Sequence, residues 1–312
     1  MKAAQINAYG GSEVVKINTN VVDPALSAGK VFIEIYAAGV NPADWKIREG
    51  YMQKMAPLQF PVTLGGDFSG IVKKVGEGVS DFKNGDEIYG QASVLGGGSG
   101  SFAEFALANA NTIAHKPKRV NHVEAAALPL AGVSALQGLI DHIKLRKGQK
   151  ILIHGGAGGI GTFAIQIAKY LGAYVATTVS AEDVGYVKEL GANEVINYKT
   201  QHFEDLLKDY DAVFDTVGEE TYERSFKILK KGGIIVSMLE QPHQDLTEQH
   251  GVKAIAEYAQ VTNEHLSKLS ELVDKGIIRV HVDETLPLEQ ATEALTHLQT
   301  KHVKGKVVLK IK

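Results

Sequence analysis

The sequence predicts an α/β protein in which a β-rich first third precedes a parallel, doubly wound sheet. Two observations carry this prediction. From about residue 150 to about residue 238, segments typical of strands alternate with segments typical of helices, which favours parallel strands joined by helices. In the first third, short β-branched and aromatic runs are separated by glycine-rich turns, which is the pattern of β structure.

The predicted elements follow in order along the chain. Strands of the first third are predicted at residues 31–36, 69–75, 87–89 and 101–107. Later strands are predicted at residues 151–154, 174–179, 194–198, 211–217 and 233–238. Helices are predicted at residues 123–143, 160–171, 203–208 and 220–229.

Two further strands are predicted near the C-terminus. Residues 254–261 form a candidate last strand of the parallel sheet. This strand is either a plain edge strand or one that pairs with a second subunit. Residues 305–311 form another strand, which we expect to return to the first domain.

The composition limits the possible functions. A chain of 312 residues suggests about two domains, and a formal net charge of −3 gives no general attraction to nucleic acid or an acidic membrane. Cysteine is absent, which excludes disulfides, thiolate catalysis and cysteine-bound metals. We expect a soluble cytoplasmic protein, because the sequence has no apolar signal block and no stretch suited to crossing a bilayer.

The segment with the most chemical information joins a strand to a helix at residues 151–161. Its glycines fit the pattern G-x-G-x-x-G as Gly156, Gly158 and Gly161. The first permits a tight turn, the second lets the backbone approach a diphosphate, and the third lets the helix pack closely. The helix N-terminus adds free N–H groups and a partial positive charge. The predicted dinucleotide contacts in this loop are Gly156, Ala157, Gly158, Gly159, Ile160 and Gly161.

Five other segments carry motifs that occur in a fixed order. They lie at residues 39–48 (Gly-Val-Asn-Pro-Ala-Asp-Trp-Lys-Ile-Arg), 60–70, 82–90, 128–136 and 305–309. Together with the glycine loop they resemble the zinc-free quinone oxidoreductase branch of the medium-chain dehydrogenase/reductase superfamily. The resemblance implies a GroES-like β-rich catalytic domain at residues 1–121 and 265–312. It also implies a Rossmann dinucleotide-binding domain at residues 122–264.

The residues after the second strand of this unit indicate which dinucleotide binds. NAD-binding units carry an acid about 20 residues beyond the glycines, where it binds ribose hydroxyls. Here Thr178 and Ser180 offer hydroxyls, which leave room for a 2′-phosphate, so NADPH is favoured over NADH. The resemblance adds Tyr198 as a phosphate or adenosine contact. Glu182 and Asp183 oppose a phosphate, so NADH stays as the alternative.

The resemblance also suggests residues near the reacting groups. Asn41 can donate from its amide and position the substrate or the nicotinamide. Tyr51 can donate a hydrogen bond or a proton, or form an aromatic wall. Asp44 either orients the backbone or is a buried structural carboxylate.

Three further residues are predicted as cofactor contacts. Ser134 is placed near the nicotinamide by the resemblance. Gly218 follows a strand at the edge where a ligand can approach the backbone. Lys306 either reaches the cofactor or forms an ion pair at a domain interface.

The same motifs do not predict a zinc site. The slots that hold cysteine and histidine in zinc-dependent relatives hold Asn41 and Gly66 here, and neither is a good zinc ligand. We therefore expect an enzyme that reduces quinones or α,β-unsaturated carbonyls by hydride transfer from NADPH without zinc. The alternatives are an alcohol or aldehyde reductase and a non-catalytic NADPH-binding protein with a structural or redox-sensing role. The family implies a homodimer.

Overall fold

The computed structural model describes the whole chain, residues 1–312. The strands are β1 (Ala3–Ile6), β2 (Lys16–Asn18), β3 (Lys30–Val40), β4 (Val62–Thr63), β5 (Asp67–Val75), β6 (Glu87–Gln91), β7 (Phe105–Asn109), β8 (Ile113–His115), β9 (Lys150–Ile153), β10 (Tyr174–Val179), β11 (Glu194–Asn197), β12 (Tyr210–Asp215), β13 (Leu229–Ser237), β14 (Lys253–Ala256), β15 (Val282–Pro287) and β16 (Lys306–Lys310).

Ten α-helices connect or cover these strands. They are α1 (Pro42–Arg48), α2 (His122–Ala126), α3 (Pro129–Leu136), α4 (Gly159–Tyr170), α5 (Val184–Glu189), α6 (Phe203–Leu206), α7 (Glu219–Ser225), α8 (Gln244–His250), α9 (Asn263–Asp274) and α10 (Ala291–Thr300). No helix is both long enough and apolar enough to span a bilayer.

The chain divides into two compact units, and both of its ends contribute to the first. Unit 1 contains Met1–Leu130, Val261–Lys275 and Val280–Lys312, and unit 2 contains Ala131–Gln260 and Gly276–Arg279. Helix α2, predicted to lie in the dinucleotide-binding domain, belongs to unit 1. Ala126 of α2 and the following Ala127 pack in a buried cluster with Ala37 and Val308 of that unit.

Unit 1 is built around the long strand β3. This strand pairs antiparallel with β5 on one edge, and with β7 and β16 on the other. The seven-stranded sheet has the order β15-β16-β3-β5-β6-β8, with β7 paired to β3 beside this path, and a second, small sheet has the order β2-β1-β4. Val31, Ile33 and Ile35 of β3 are fully buried while the residues between them are not, which is the two-residue period of a strand.

Unit 2 is a parallel sheet of six strands in the order β11-β10-β9-β12-β13-β14. This is the doubly wound order in which the strand sequence reverses between the first and fourth strands. The reversal lies between β9 and β12, and the glycine loop follows β9 directly. The predicted α/β fold, with a GroES-like unit and a Rossmann sheet, is confirmed.

Some element boundaries differ from the predicted ones. The helix predicted at residues 123–143 is broken, because Pro129 disfavours helical backbone at the preceding residue and starts α3 anew. A π-helical turn, Gln137–His142, follows α3. The strand predicted at residues 254–261 stops at Ala256.

A glycine substitution in helix α4 tests the packing of the nucleotide loop. A Cβ atom at Gly161 would lie 2.2 Å from the backbone oxygen of Gly155, so Gly161→Ala should lower the free energy of unfolding by about 1–3 kcal/mol. Gly185→Ala in α5 is the control, since a Cβ there meets nothing within 4 Å. That change should raise stability by about 0.5–1 kcal/mol. Urea unfolding measures both, and equal effects would contradict the packing argument.

Candidate functional site

In unit 1, strand pairing gathers polar residues from distant parts of the sequence. Val307 of β16 lies opposite Val40 of β3, and Gly39 of β3 lies opposite Asp67 of β5. Strand β3 then runs directly into helix α1. The result is a buried polar cluster formed by Asn41, Asp44, Asp67 and Lys306.

Asn41 is the central member of the polar cluster and is 3% exposed. Its Nδ2 donates to Asp67 Oδ2 at 2.9 Å, and its Oδ1 accepts from Lys306 Nζ. Its backbone N–H donates to Asp44 Oδ2 at 2.7 Å at the start of α1. Because an amide nitrogen carries two hydrogens, one N–H of Nδ2 has no acceptor within the chain.

Asp67 is fully buried and is surrounded by donors. It accepts from the side-chain nitrogens of Asn41 and Gln91 and from the backbone N–H of Leu130, each at 2.9 Å. Burial raises the pKa of Asp67, and the positive charge of Lys306 and these hydrogen bonds oppose the rise. All three contacts stabilise the ionised carboxylate.

Asp44 is the second buried carboxylate of the polar cluster. Burial raises its pKa to about 7, and the negative charge of Asp67 adds to the rise. The hydrogen bond from Asn41 and the charge of Lys306 act in the opposite direction. Asp44 therefore holds the start of α1 and can change its protonation state near neutral pH.

The sequence predicts that Lys306 contacts the cofactor or forms an ion pair at a domain interface. In the structure it instead donates hydrogen bonds within the polar cluster. Its Nζ donates to the backbone oxygen of Val40 at 2.9 Å as well as to Asn41 Oδ1. Burial lowers the pKa of Lys306, while the charges of Asp67 and Asp44 oppose this. The ammonium therefore faces the polar cluster within unit 1.

Tyr51 lies outside the hydrogen bonds of the polar cluster. It follows α1 in a turn, and its side chain is 67% exposed. Its ring meets the edge of the Trp45 ring with the centroids 5.7 Å apart. The phenol is therefore available to a ligand or to solvent.

In unit 2, the glycine loop makes its tight turn one residue earlier than predicted. Gly155 has a φ of +65°, whereas Gly156 is not in the left-handed region. Gly156 must lack a side chain for another reason, because a Cβ there would lie 2.1 Å from Thr177 Oγ1. The predicted role of the first glycine in the turn thus belongs to Gly155.

The rest of the loop matches a diphosphate cradle. Helix α4 begins at Gly159 with Gly158 as its N-cap, and no side chain caps it. Its first N–H groups are left for an anion, together with the partial positive charge of the helix end. A Cβ at Gly158 would meet only the oxygen of Gly155, at 3.3 Å, so the backbone can be approached closely there. The residues therefore fit the diphosphate of a dinucleotide.

His154 holds the loop to the neighbouring strand and helix. It is fully buried, with Nδ1 3.0 Å from Thr178 Oγ1 and Nε2 2.9 Å from Ser225 Oγ. Thr178 Oγ1 also accepts from the backbone N–H of Gly155 at 3.3 Å. Burial lowers the pKa of His154 to about 4, so the imidazole is neutral at pH 7. Thr178 thus positions the loop.

Ser180 follows strand β10 and lies next to two acidic side chains. Its Oγ is 3.1 Å from Glu182 Oε1 and 3.1 Å from Asp183 Oδ2. Asp183 is fully buried, whereas Glu182 is exposed. Tyr198 follows β11, where its backbone N–H donates to Val179, and its side chain is exposed. A 2′-phosphate that used the Ser180 hydroxyl would have to displace a carboxylate.

Gly218 is positioned by an aspartate that sequence reasoning missed. Asp215 Oδ1 accepts the backbone N–H groups of Val217 and Gly218, each at 3.0 Å, and Oδ2 accepts from Ser237 Oγ at 2.6 Å. Gly218 has a φ of +80° and is the N-cap of α7. An acid at the end of an apolar strand, three residues before a glycine, was the available signal.

Two buried polar residues of unit 2 are Ser134, a predicted cofactor contact, and Glu257, which the sequence analysis did not identify. Ser134 is fully buried in α3. Glu257, which follows β14, is buried, and neither carboxylate oxygen has a hydrogen-bond partner. Burial raises the pKa of Glu257 to about 8, and the charge of Asp141 adds to the rise. No motif marked Glu257, because its burial depends on strand packing.

The donor set of the polar cluster does not suit zinc. The oxygen of Asn41 is already engaged by the Lys306 ammonium, which would repel a second cation. Gly66 contributes no side-chain ligand, and the chain has no cysteine.

Two family profiles match the chain. The one described as "Alcohol dehydrogenase GroES-like domain" matches residues 27–118, and the one described as "Zinc-binding dehydrogenase" matches residues 190–309. The NADPH-dependent alkenal/one oxidoreductase of Arabidopsis thaliana chloroplasts is 35% identical, over 99% of this chain and 79% of its own length.

Two solved structures are similar over the whole chain. The quinone oxidoreductase of Coxiella burnetii is 34% identical, with a TM-score of 0.92, over 100% of this chain and 99% of its own. The Escherichia coli quinone oxidoreductase, solved in complex with NADPH, is 28% identical, with a TM-score of 0.89, over 100% of both chains.

The buried His154 predicts a pH dependence of stability. The folded state keeps this imidazole neutral down to about pH 4, whereas the unfolded chain binds the proton below about pH 6.5. Stability from His154 is therefore complete above pH 6.5 and is lost as the pH falls, by up to about 1.4 kcal/mol per pH unit. The difference in urea-unfolding free energy between wild type and His154→Asn should narrow from pH 6.5 to pH 4. A constant difference would contradict this.

Proposed function

Because this chain belongs to the zinc-free quinone oxidoreductase branch of the medium-chain dehydrogenase/reductase superfamily, we propose that it reduces quinones and α,β-unsaturated carbonyls with NADPH. The observation that carries the proposal is the Asn41 amide, which keeps one N–H without an acceptor inside the polar cluster. The names of the relatives confirm the predicted enzyme class and the predicted substrate class.

NADPH is the dinucleotide that the relatives support. The Arabidopsis thaliana relative is NADPH-dependent, and the Escherichia coli structure contains NADPH. In this chain, residues 156–161 would hold the diphosphate, and Ser180 and Tyr198 would meet the adenosine end. The negative charges of Glu182 and Asp183 oppose a 2′-phosphate. For the exposed Glu182 the penalty is about 1–2 kcal/mol in water, which one charge-assisted hydrogen bond of about 1.5–3 kcal/mol offsets.

The residues of the chain supply the groups that this reduction requires. When bound, NADPH supplies the hydride that adds to the β-carbon of an enone or to a quinone. Negative charge then develops on the carbonyl oxygen and must be stabilised by a donor. Asn41 presents its second Nδ2–H for this oxygen, and the exposed phenol of Tyr51 is a second donor. We assign Ser134 and Gly218 to the nicotinamide side of the cofactor.

Replacing Asn41 tests the function. Asn41→Ala should lower the rate of acceptor reduction by about 10²–10³-fold, because one oxyanion donor is lost. Its dissociation constant for NADPH should stay unchanged. Stopped-flow oxidation of NADPH by a panel of quinones and enones measures the rate, and fluorescence titration measures binding. Asn20→Ala, an exposed asparagine of unit 1, is the control.

The same experiment separates the alternatives. Reduction of simple aldehydes but not of enones would favour the alcohol or aldehyde reductase. Binding of NADPH without oxidation by any acceptor would favour a non-catalytic binding protein. Tighter binding of NADH than of NADPH would contradict the proposed cofactor.

We also propose that the protein is a cytoplasmic homodimer. Strand β14 pairs only with β13, so its other edge offers free N–H and C=O groups to a second copy. The absence of cysteine suits a reducing compartment. Light scattering at micromolar concentration should give twice the mass of one chain. A single-chain mass would contradict the dimer, and cell fractionation tests the compartment.

A further inference from the structure

The orientation of the Asn41 amide decides whether it can stabilise an oxyanion. One end of an amide accepts hydrogen bonds and the other end donates them. If Oδ1 faced a substrate carbonyl, the two oxygens would repel each other. The side chain is therefore useful only when its oxygen is directed away from the substrate.

Two charged neighbours fix this orientation. The Lys306 ammonium can only donate, so it selects Oδ1, and the Asp67 carboxylate can only accept, so it selects Nδ2. A flipped amide would set its nitrogen against the ammonium and its oxygen against the carboxylate. Both hydrogen bonds would then be lost in a buried place, where unpaired polar groups are expensive.

Lys306 is itself held rigidly. Its strand β16 pairs with β3, and its Nζ also donates to the backbone oxygen of Val40 at 2.9 Å. The side chain is 4% exposed, so water does not compete for the ammonium. The single positive charge also faces the carboxylates of both Asp67 and Asp44.

We propose that Lys306 is a positioning residue: it holds Asn41 with the amide oxygen inward, and thereby turns the remaining Nδ2–H into the donor for the substrate oxyanion. This inference rests on the proposed function. It differs from a direct cofactor contact, because Lys306 acts here through Asn41.

Three variants test this role. Lys306→Met removes the donor and the charge and keeps an apolar stem of similar length. Lys306→Arg keeps the hydrogen-bond donor and the positive charge. Lys310→Met is the control, because Lys310 is an exposed lysine of the same strand. The measurements are the dissociation constant for NADPH and the single-turnover rate of enone reduction at saturating NADPH, from pH 6 to pH 9.

We expect Lys306→Met to reduce the enone rate by about 10–100-fold, which is the usual effect of losing a partner that orients a functional group. NADPH binding should stay unchanged, Lys306→Arg should recover part of the rate, and Lys310→Met should behave as wild type.

The pH profile distinguishes positioning from a general structural role. The titratable groups that interact with Asp67 are Lys306 from β16 and Asp44 from α1, while β6 presents the neutral Gln91. Without the ammonium, Asp67 keeps its proton to higher pH, and a protonated carboxyl can donate to Asn41 Oδ1 and allow the flip. The rate of Lys306→Met should therefore rise with pH more steeply than that of wild type.

The outcomes are separable. A wild-type rate in Lys306→Met, or equal losses of rate and of NADPH affinity with an unchanged pH profile, would overturn the positioning role. If wild type reduces no acceptor, the proposed function itself fails. If Lys306→Met does not fold, Asp67→Asn tests the other side of the amide. Asp67→Asn should lower the single-turnover rate of enone reduction without weakening NADPH binding. An unchanged rate would overturn the proposal.

Discussion

The pairing of β16 with β3 is the constraint on which the polar cluster depends. The two strands come from opposite ends of the chain, and their register sets Val307 opposite Val40. That register places the Lys306 ammonium against the Asn41 amide. A slip by one residue would turn Lys306 to the other face of the sheet, because side chains alternate along a strand. The chemistry of Asn41 thus depends on strand pairing as much as on its residue type.

The polar cluster of unit 1 and the glycine loop of unit 2 are held by different kinds of buried polar groups. In unit 1, one ammonium balances two carboxylates, and burial raises the pKa of both, that of Asp44 to about 7. In unit 2, neutral groups hold the glycine loop, with His154 bridging Thr178 and Ser225. A neutral scaffold adds no charge where a diphosphate would lie. The charged groups lie in unit 1, where they determine which end of the Asn41 amide faces Lys306 and which faces Asp67.

The glycine loop can form only because backbone segments approach each other closely at two of its glycines. Gly161 lets the helix approach the turn, and Gly156 lets the turn approach β10, since a Cβ would lie 2.2 Å and 2.1 Å, respectively, from an oxygen atom. The sequence pattern predicted that glycines are needed here. It assigned the turn itself to the wrong residue, because the left-handed conformation lies at Gly155, which the pattern leaves unspecified.

The sequence alone determined the α/β class, the parallel unit and the nucleotide loop, because these depend on local periodicity and on glycine spacing. Its motifs also identified Asn41 and Asp44. Only the tertiary structure decided what Lys306 contacts, since residues 41 and 306 meet through β-sheet pairing. It also decided the burial of Asp215 and Glu257, and the raised pKa of Asp44. Burial and charge pairing arise between distant segments, so no local pattern in the sequence encodes them.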